Sequence, residues 1–413
     1  MNDSYPSADE IFASLDEATA DAIAAKFGTP VYLISENALR KRIRAMRAVV
    51  AGYPGGRITW SFKTNPLLGI LSIMRDEGLD VEVVSDFEYW SVREAGVPAS
   101  DIVFNGPARS DEALADALRA GALVNLDHRE ELERLIALGD RVGQSAKIGF
   151  RVNTEGQRRF GFSLERNELD NAVARVTEAP HLQFGGLHNH LGADIRDLDR
   201  FETLSNCLEG LARRYGAPLD WIDVGGGLAG TNARPEEPLR RHSWIHPQQY
   251  CRAVLTPLVG AARSLILEPG RSLIEPTGGL LTRVVGVRTT PEGAPAYILD
   301  GGINSVSSAL TRKLPIRALI DDSRPLRSAT LYGPLCMNKD KPAENISLPV
   351  LRRGDLVLVE GVGAYDMARG FTFIQPRPGV LLWSGATDVR WLRRPESMEH
   401  IQLLENDFQE KPD

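Results

Sequence analysis

A lysine flanked by aromatic residues, in Trp60-Ser61-Phe62-Lys63-Thr64-Asn65, is the first pattern with chemical promise. At a strand end its amine can be desolvated, held neutral and joined to a carbonyl compound as a Schiff base. A solvent-facing lysine at a strand exit is the plain alternative. Gly186-Leu187-His188-Asn189-His190-Leu191-Gly192-Ala193 sets two imidazoles at i and i+2. On a strand they would share a face and could ligate a metal, yet no Cys-x-x-Cys or His-Glu-x-x-His pattern supplies a third ligand. A flat imidazole can instead stack on an aromatic ring, and for that one histidine suffices. In Ile222-Asp223-Val224-Gly225-Gly226-Gly227, bare backbone after a strand lets N–H groups close on an anion. Gly225, Gly227 and Gly230 match the Gly-x-Gly-x-x-Gly spacing, but the stretch through Pro235 does not read as the helix a dinucleotide needs, so a single phosphate fits better. Leu267-Glu268-Pro269-Gly270-Arg271 pairs a carboxylate with a guanidinium. Arg271 can grip phosphate or carboxylate, Glu268 should face something cationic, and a mutual ion pair is the structural alternative. Gly333-Pro334 would turn the chain and present Cys336 on a loop, although a lone cysteine usually behaves as a small buried hydrophobe. Gly361 and Gly363 permit close backbone approach ahead of Tyr365, with a packing tyrosine as the bland reading.

These residues need a frame that gathers them. From residue 58, β-branched runs alternate with helix-period segments: Ile58–Lys63, Val81–Ser85, Asp101–Asn105, Leu123–Asp127, Lys147–Val152, Leu182–His188, Trp221–Val224 and Leu265–Glu268. Between them, stretches such as Asp111–Arg119 and Asp199–Tyr215 repeat apolar residues at three- and four-residue spacing. Eight strand and helix units spell an α/β fold, a (β/α)8 TIM barrel. A doubly wound sheet competes, but it would concentrate chemistry at one switch point, whereas here polar and Gly residues follow nearly every strand. Phosphate in such barrels sits near the loops after strands seven and eight, where Gly225–Gly227 and Glu268–Arg271 lie.

After Arg271 the rhythm becomes strand and turn, with runs at Gly279–Thr290, Ala296–Ile303, Ala329–Leu335, Asp355–Val362 and Gly379–Trp383. The division expected is a barrel over residues 36–278 and a mainly β domain from residues 1–35 and 279–413. Pro30–Ile34 has no place in the eight-unit count and is expected to pair with that second domain. The polar stretch Thr231–Arg241 is the nearest approach to a linker.

Composition narrows the function. The 413 residues carry 48 Lys plus Arg against 55 Asp plus Glu, a net charge of −7, without the clustered basic residues that phosphate neutralisation demands. Nucleic acid is therefore not an expected partner. No run of 18 apolar residues occurs and the N-terminus lacks a signal-peptide pattern, so no membrane association and a cytoplasmic location are expected. Three scattered cysteines, Cys207, Cys251 and Cys336, suggest neither a disulfide framework nor a thiolate zinc site.

Taken in order, Lys63, His190, the triple glycine, Glu268–Arg271, Cys336 and Tyr365 resemble the fold-type III decarboxylases that use pyridoxal 5′-phosphate, diaminopimelate decarboxylases above all. Phe27-Gly28-Thr29-Pro30-Val31-Tyr32 is similar to the family's Tyr-Gly-Thr-Pro-Leu-Tyr opening, and the likeness runs through Arg377-Pro378. The resemblance implies an alanine-racemase-like barrel plus a C-terminal β domain, and a carboxy-lyase acting on amino acids. It also implies that Lys63 holds the cofactor covalently, that His190 stacks on its ring, and that Gly226, Gly227 and Tyr365 bind its phosphate, with Gly270 alongside. Glu268 would pair with the pyridine nitrogen and keep it protonated, which strengthens the ring as an electron sink. Arg271 would take the substrate carboxylate or the phosphate. Cys336, from the neighbouring subunit, would return a proton to carbon, so a homodimer with shared active sites is implied.

Several positions depart from the pattern. The family's Cys-Glu-Ser is Cys336-Met337-Asn338, which removes the carboxylate expected to hold a distal amine. Burying an unpaired ammonium against Met337 would be unfavourable. The Asn-Pro-Arg-Pro run after Asp-Gly-Gly is absent, with Arg312 and Lys313 only farther on, Ala193 stands for a phosphate-binding serine, and Glu82 for an aspartate. The expected substrate is hence an amino-acid-type small molecule other than diaminopimelate, such as a siderophore or natural-product intermediate, with Arg271, Arg312, Met337 and Tyr365 around it. Diaminopimelate decarboxylation making lysine, and a catalytically silent paralogue, are the alternatives.

Overall fold

The computed structural model describes residues 8–154, 159–232, 245–320, 323–386, 388–403 and Glu405. It divides into two compact units. One comprises Arg42–Ala229 and the described part of Trp244–Ser272; the other comprises the described parts of Pro6–Lys41, Gly230–Ser243 and Leu273–Asp413. Residues 36–41 and 273–278 thus group with the β-rich unit, the strand that begins at Gly278 being part of its sheet. Most of Thr231–Arg241 lies outside the described residues.

Eight parallel strands form the first unit: Gly56–Ser61, Asp80–Val83, Ile102–Phe104, Leu123–Leu126, Ala146–Asn153, Leu182–His188, Leu219–Asp223 and Ala262–Leu267. The last pairs back onto the first, Leu265 opposite Gly56 and Leu267 opposite Ile58, so the sheet closes. Closure excludes the doubly wound alternative, which would leave two edges. Ile102–Phe104 is buried along its whole length, as expected of a strand wrapped by helices. Side-chain oxygens start several of those helices by accepting otherwise unpaired amides: Ser85 from Glu88, Ser110 from Ala113 and Asp197 from Asp199.

The barrel interior is organised around Trp221, packed with Val103 and Ile266. Its indole lies against Gly149, Gly185 and Gly186, where an added Cβ would come within 2.9 Å of the ring at each position. The absence of side chains there lets one large ring fill the barrel.

The second unit is a nine-stranded sheet among the described residues. Its spine is the long strand Gly278–Thr289, paired with Val31–Ser35, Leu356–Glu360 and Pro295–Leu299. Val31–Ser35 also lies parallel to Gly379–Gly385, which meets the expectation for Pro30–Ile34. Three strands escaped the sequence reading: Ile316–Leu319, Ala343–Pro349 and Asp388–Arg393. The latter two are short of buried apolar side chains because each lies at an end of the sheet, where alternation is weak. One core of this unit packs Phe12 on Trp383, ring centroids 5.6 Å apart, among Leu15, Ile23, Leu281 and Leu358.

Candidate active site

Lys63 follows the first barrel strand in a single 3-10 turn, Phe62–Thr64. Parallel register places Ser61 opposite Glu82 on the next strand. Glu82 therefore receives both Ser61 Oγ, at 2.8 Å, and Lys63 Nζ, at 2.9 and 2.7 Å to its two oxygens. The lysine side chain keeps 32% exposure while that of Glu82 has 2%. The amine is thus neither desolvated by its aromatic neighbours alone nor fully solvent-facing. Trp60 and Phe62 are buried beside it, but a carboxylate meets the nitrogen.

Glu268, just past the eighth strand, is not paired with Arg271. Its Oε1 accepts the Asn105 amide at 2.6 Å and its Oε2 lies 3.8 Å from His188 Nε2, while Arg271 Nε lies 3.4 Å from Asp194. Between Glu268 and Arg271 in the chain lies Gly270, where an added Cβ would fall 2.2 Å from Thr64 Oγ1. A ladder of side chains crosses the barrel to Glu268: Trp221 Nε1 donates to Asn125 Oδ1 at 2.9 Å, Asn125 Nδ2 to Asn105 Oδ1 at 2.9 Å, and Asn105 Nδ2 to Glu268.

The two histidines part company. His188 ends the sixth strand, register partner of Asp223, and burial with the nearby Arg151 charge holds its imidazole well below the ordinary value. His190 lies beyond the strand, and its Nδ1 accepts the Gly226 N–H at 3.2 Å. Burial and the Lys63 charge hold it down to about 4, so a neutral ring is presented. His188, Asp223 and Glu268 bring one potential ligand atom each within 4.8 Å of one another, a trio the His188/His190 metal reading did not foresee. Two of its members are buried carboxyl groups in close approach, and burial together with the neighbouring Glu268 raises the Asp223 carboxyl well above its ordinary value.

The triple glycine is tightly enclosed. A Cβ at Gly225, Gly226 or Gly227 would lie 2.4–2.5 Å from the carbonyl oxygens of Asn189, Glu268 and Gly192 respectively, and Gly225 and Gly227 have φ of +65° and +101°. Only glycine fits such a turn. Two of its amides are engaged within the protein, Gly225 N–H by Asp223 at 2.9 Å and Gly226 N–H by His190. Several buried polar atoms of the residues near the strand ends have no hydrogen-bond partner among the described residues: Thr64 Oγ1, Asn189 Oδ1 and both His188 nitrogens. Such atoms at a barrel mouth suit a bound polar molecule. A lysine amine, a neutral imidazole, a buried carboxylate and a glycine turn are groups of the kind that could hold pyridoxal phosphate, and their chemistry fits it.

In the β-rich unit, Cys336 is exposed on a loop, as Gly333-Pro334 suggested, and Met337 beside it is 39% exposed. The loop is clamped by Asp340, whose carboxylate accepts the N–H groups of Ile303 at 2.8 Å and Leu335 at 2.7 Å. Tyr365 adopts φ +69° and carries the Arg369 guanidinium 5.4 Å over its ring. Asp366 next to it is fully buried, accepts the Ser308 N–H at 2.7 Å, and is raised to about 6 by that burial. Arg312 follows the 3-10 turn Ser307–Leu310 and is half-buried.

Asn105, Asn125 and Asp223 had no assigned role in the sequence reading. Their one signal is a polar residue at or near the end of a β-branched run, and only register shows which of them meet.

The closed barrel and this donor set define a pyridoxal-phosphate-binding enzyme of the alanine-racemase-like fold. A profile described as "Pyridoxal-dependent decarboxylase, pyridoxal binding domain" matches residues 37–275, and the chain belongs to that family of decarboxylases. It is 31% identical to the diaminopimelate decarboxylase of Pseudomonas aeruginosa, over 96% of this chain and 97% of that one, and 30% identical to that of Deinococcus radiodurans, over 95% and 100%. Among solved structures, diaminopimelate decarboxylase from Helicobacter pylori complexed with L-lysine superposes with a TM-score of 0.84 at 24% identity, covering 94% of this chain and 99% of that one. Lysine/ornithine decarboxylase from Vibrio vulnificus complexed with putrescine gives 0.74 at 25% identity, covering 88% and 95%. Pyridoxal 5′-phosphate is accordingly the cofactor, and amino-acid decarboxylation the class of reaction. No helix among the described residues is long and apolar enough to cross a membrane.

Proposed function

We propose that this decarboxylase removes CO₂ from an amino-acid centre in a substrate other than diaminopimelate, such as a siderophore or other natural-product intermediate. The observation that carries the reading is Cys336-Met337-Asn338: an apolar, 39% exposed Met337 stands where the family's diaminopimelate enzymes have a carboxylate. A methionine offers a distal ammonium no counter-charge and suits a larger or less polar side chain.

When bound, pyridoxal phosphate supplies an electron-withdrawing ring that takes up the electron pair left as CO₂ departs. Lys63 Nζ would hold it covalently, with Glu82 positioned to hold or accept the amine's proton. Glu268 would keep a proton on the ring nitrogen, and the neutral His190 ring would cover one face. Gly226, Gly227, Gly270 and Tyr365 would bind the phosphate, the Gly226 N–H exchanging its bond to His190. Arg271 would hold a carboxylate or phosphate, and Arg312 and Met337 would meet the substrate side chain. Cys336 Sγ, from the partner subunit of a homodimer, would donate a proton to the α-carbon; its exposure on a loop supports this. The free cysteines support a reducing, cytoplasmic setting.

Relatives that are themselves diaminopimelate decarboxylases favour a second reading, the same activity here with the distal contact made by other residues. Incubation with meso-diaminopimelate, measuring CO₂ and lysine, separates the two. Turnover within about tenfold of ordinary enzyme rates, roughly 10 per second, would defeat the first. Absence of a cofactor absorbance band in wild-type protein, with Lys63→Ala as control, would instead point to a silent paralogue.

A further inference from the structure

Asp223 is a fully buried carboxyl that the reaction does not use, and its surroundings define a task for it. It ends the seventh barrel strand, opposite His188 on one side and Ile266 on the other. Its Oδ1 accepts the Gly225 N–H, so it holds the first amide of the glycine cradle. Its Oδ2 is buried without a hydrogen-bond partner among the described residues, and a carboxyl oxygen of Asp223 lies within 4.8 Å of one of Glu268. Two carboxyl groups this close and this deeply buried are disfavoured as two anions, so one of them carries a proton.

Donor logic decides which one. The indole of Trp221 can only donate, so Asn125 must turn its oxygen to Trp221 and its NH₂ to Asn105. Asn105 must then turn its NH₂ to Glu268, at the 2.6 Å separation of a charge-assisted bond. The ladder therefore ends on Glu268 as an acceptor. The positive charges of Lys63 and Arg151 act in the same neighbourhood as Glu268. Asp223 lies beside a neutral His188 and beside Glu268, the Glu82 charge also acts on it, and its own charge acts on the buried Tyr250 hydroxyl. Burial and the neighbouring Glu268 both raise the Asp223 carboxyl well above its ordinary value.

We infer that Asp223 is a positioning residue that keeps a proton at neutral pH and donates it to Glu268, while its other oxygen anchors Gly225. One neutral acid thereby links the carboxylate that would pair with the ring nitrogen to the turn that would hold the phosphate, and leaves that carboxylate without a second negative charge from Asp223. The inference rests on Glu268 as the partner of that nitrogen.

An asparagine can make both bonds, its amide N–H to Glu268 and its oxygen to Gly225, whereas an ionised aspartate could not be so replaced. The test is infrared difference spectroscopy on the full-length protein without substrate, wild type minus Asp223→Asn, with cofactor dissociation constants for both. A protonated-carboxyl carbonyl band present in wild type and lost in D223N is expected, with cofactor affinity within about threefold. Asp223→Leu, which removes both bonds, should weaken the cofactor by about tenfold or more. If D223L does not fold, the first comparison stands alone. No protonated-carboxyl band in wild type, or D223N weakening the cofactor as much as D223L, would overturn the inference. If the band behaves as expected but Glu268→Gln leaves the cofactor's absorbance unchanged, the proton placement is upheld and the ring-nitrogen reading fails instead.

Discussion

The mouth of the barrel and the Cys336 loop carry chemistry in opposite ways. In the barrel, Glu82, Glu268, Asp223 and His188 are almost wholly buried, and hydrogen bonds hold Glu82 to Ser61 and Lys63, Glu268 to Asn105 and Asp223 to Gly225. On the loop, Cys336 and Met337 are exposed, and what holds them is one buried aspartate, Asp340, acting on backbone amides. A buried network cannot lose a member without leaving another unpaired. An exposed loop residue can be exchanged without that penalty, so specificity can drift there while the barrel stays constant.

That contrast can be broken in order of size. Lys63→Ala should abolish the cofactor's absorbance band and lower CO₂ release by on the order of 10⁴-fold, since it removes the covalent anchor. Retention of the band would dismiss Lys63 from its role. Glu131→Ala should cost about 3–5 kcal/mol in denaturant unfolding, because it strands the Arg109 guanidinium, fully buried and bonded to it at 2.9 Å. Cys336→Ala should lower kcat by about 10²–10³-fold with an unchanged melting temperature. A large loss of stability there would erase the distinction between the regions.

A smaller effect concerns pH. Burial raises Glu88, whose Oε2 accepts the Val84 N–H, from its ordinary 4.5 to about 7. The folded state therefore favours the protonated acid, a stabilisation complete below the unfolded value and lost as pH rises through about 7. Glu88→Gln keeps an acceptor for Val84 and removes the titration. It should flatten the stability decline across that window, gaining about 2–3 kcal/mol over wild type at alkaline pH. Parallel decline of both proteins in urea titrations would show that another group is responsible.

Much of the fold was legible because strand and helix periods differ. All eight barrel strands and the pairing of Val31–Ser35 with the β-rich unit match the reading from pattern. The strands at the sheet's ends did not show, since residues such as Glu344 and Asn345 are exposed where alternation would be needed. Lys63, His190 and the glycine turn stood out through local spacing. The Lys63–Glu82 pair and the Arg271–Asp194 contact did not, because their partners are 19 and 77 positions apart.

Residue order alone thus determined the eight-unit barrel and its β-rich companion and singled out the candidate site residues, since hydrophobic period and short motifs are local properties of a chain. Which polar groups meet was decided only by the closed barrel. Parallel register sets His188 beside Asp223 and Ser61 beside Glu82, and barrel closure brings the eighth strand against the first. Hydrogen bonds act over about 3 Å, and no spacing along the chain encodes that proximity.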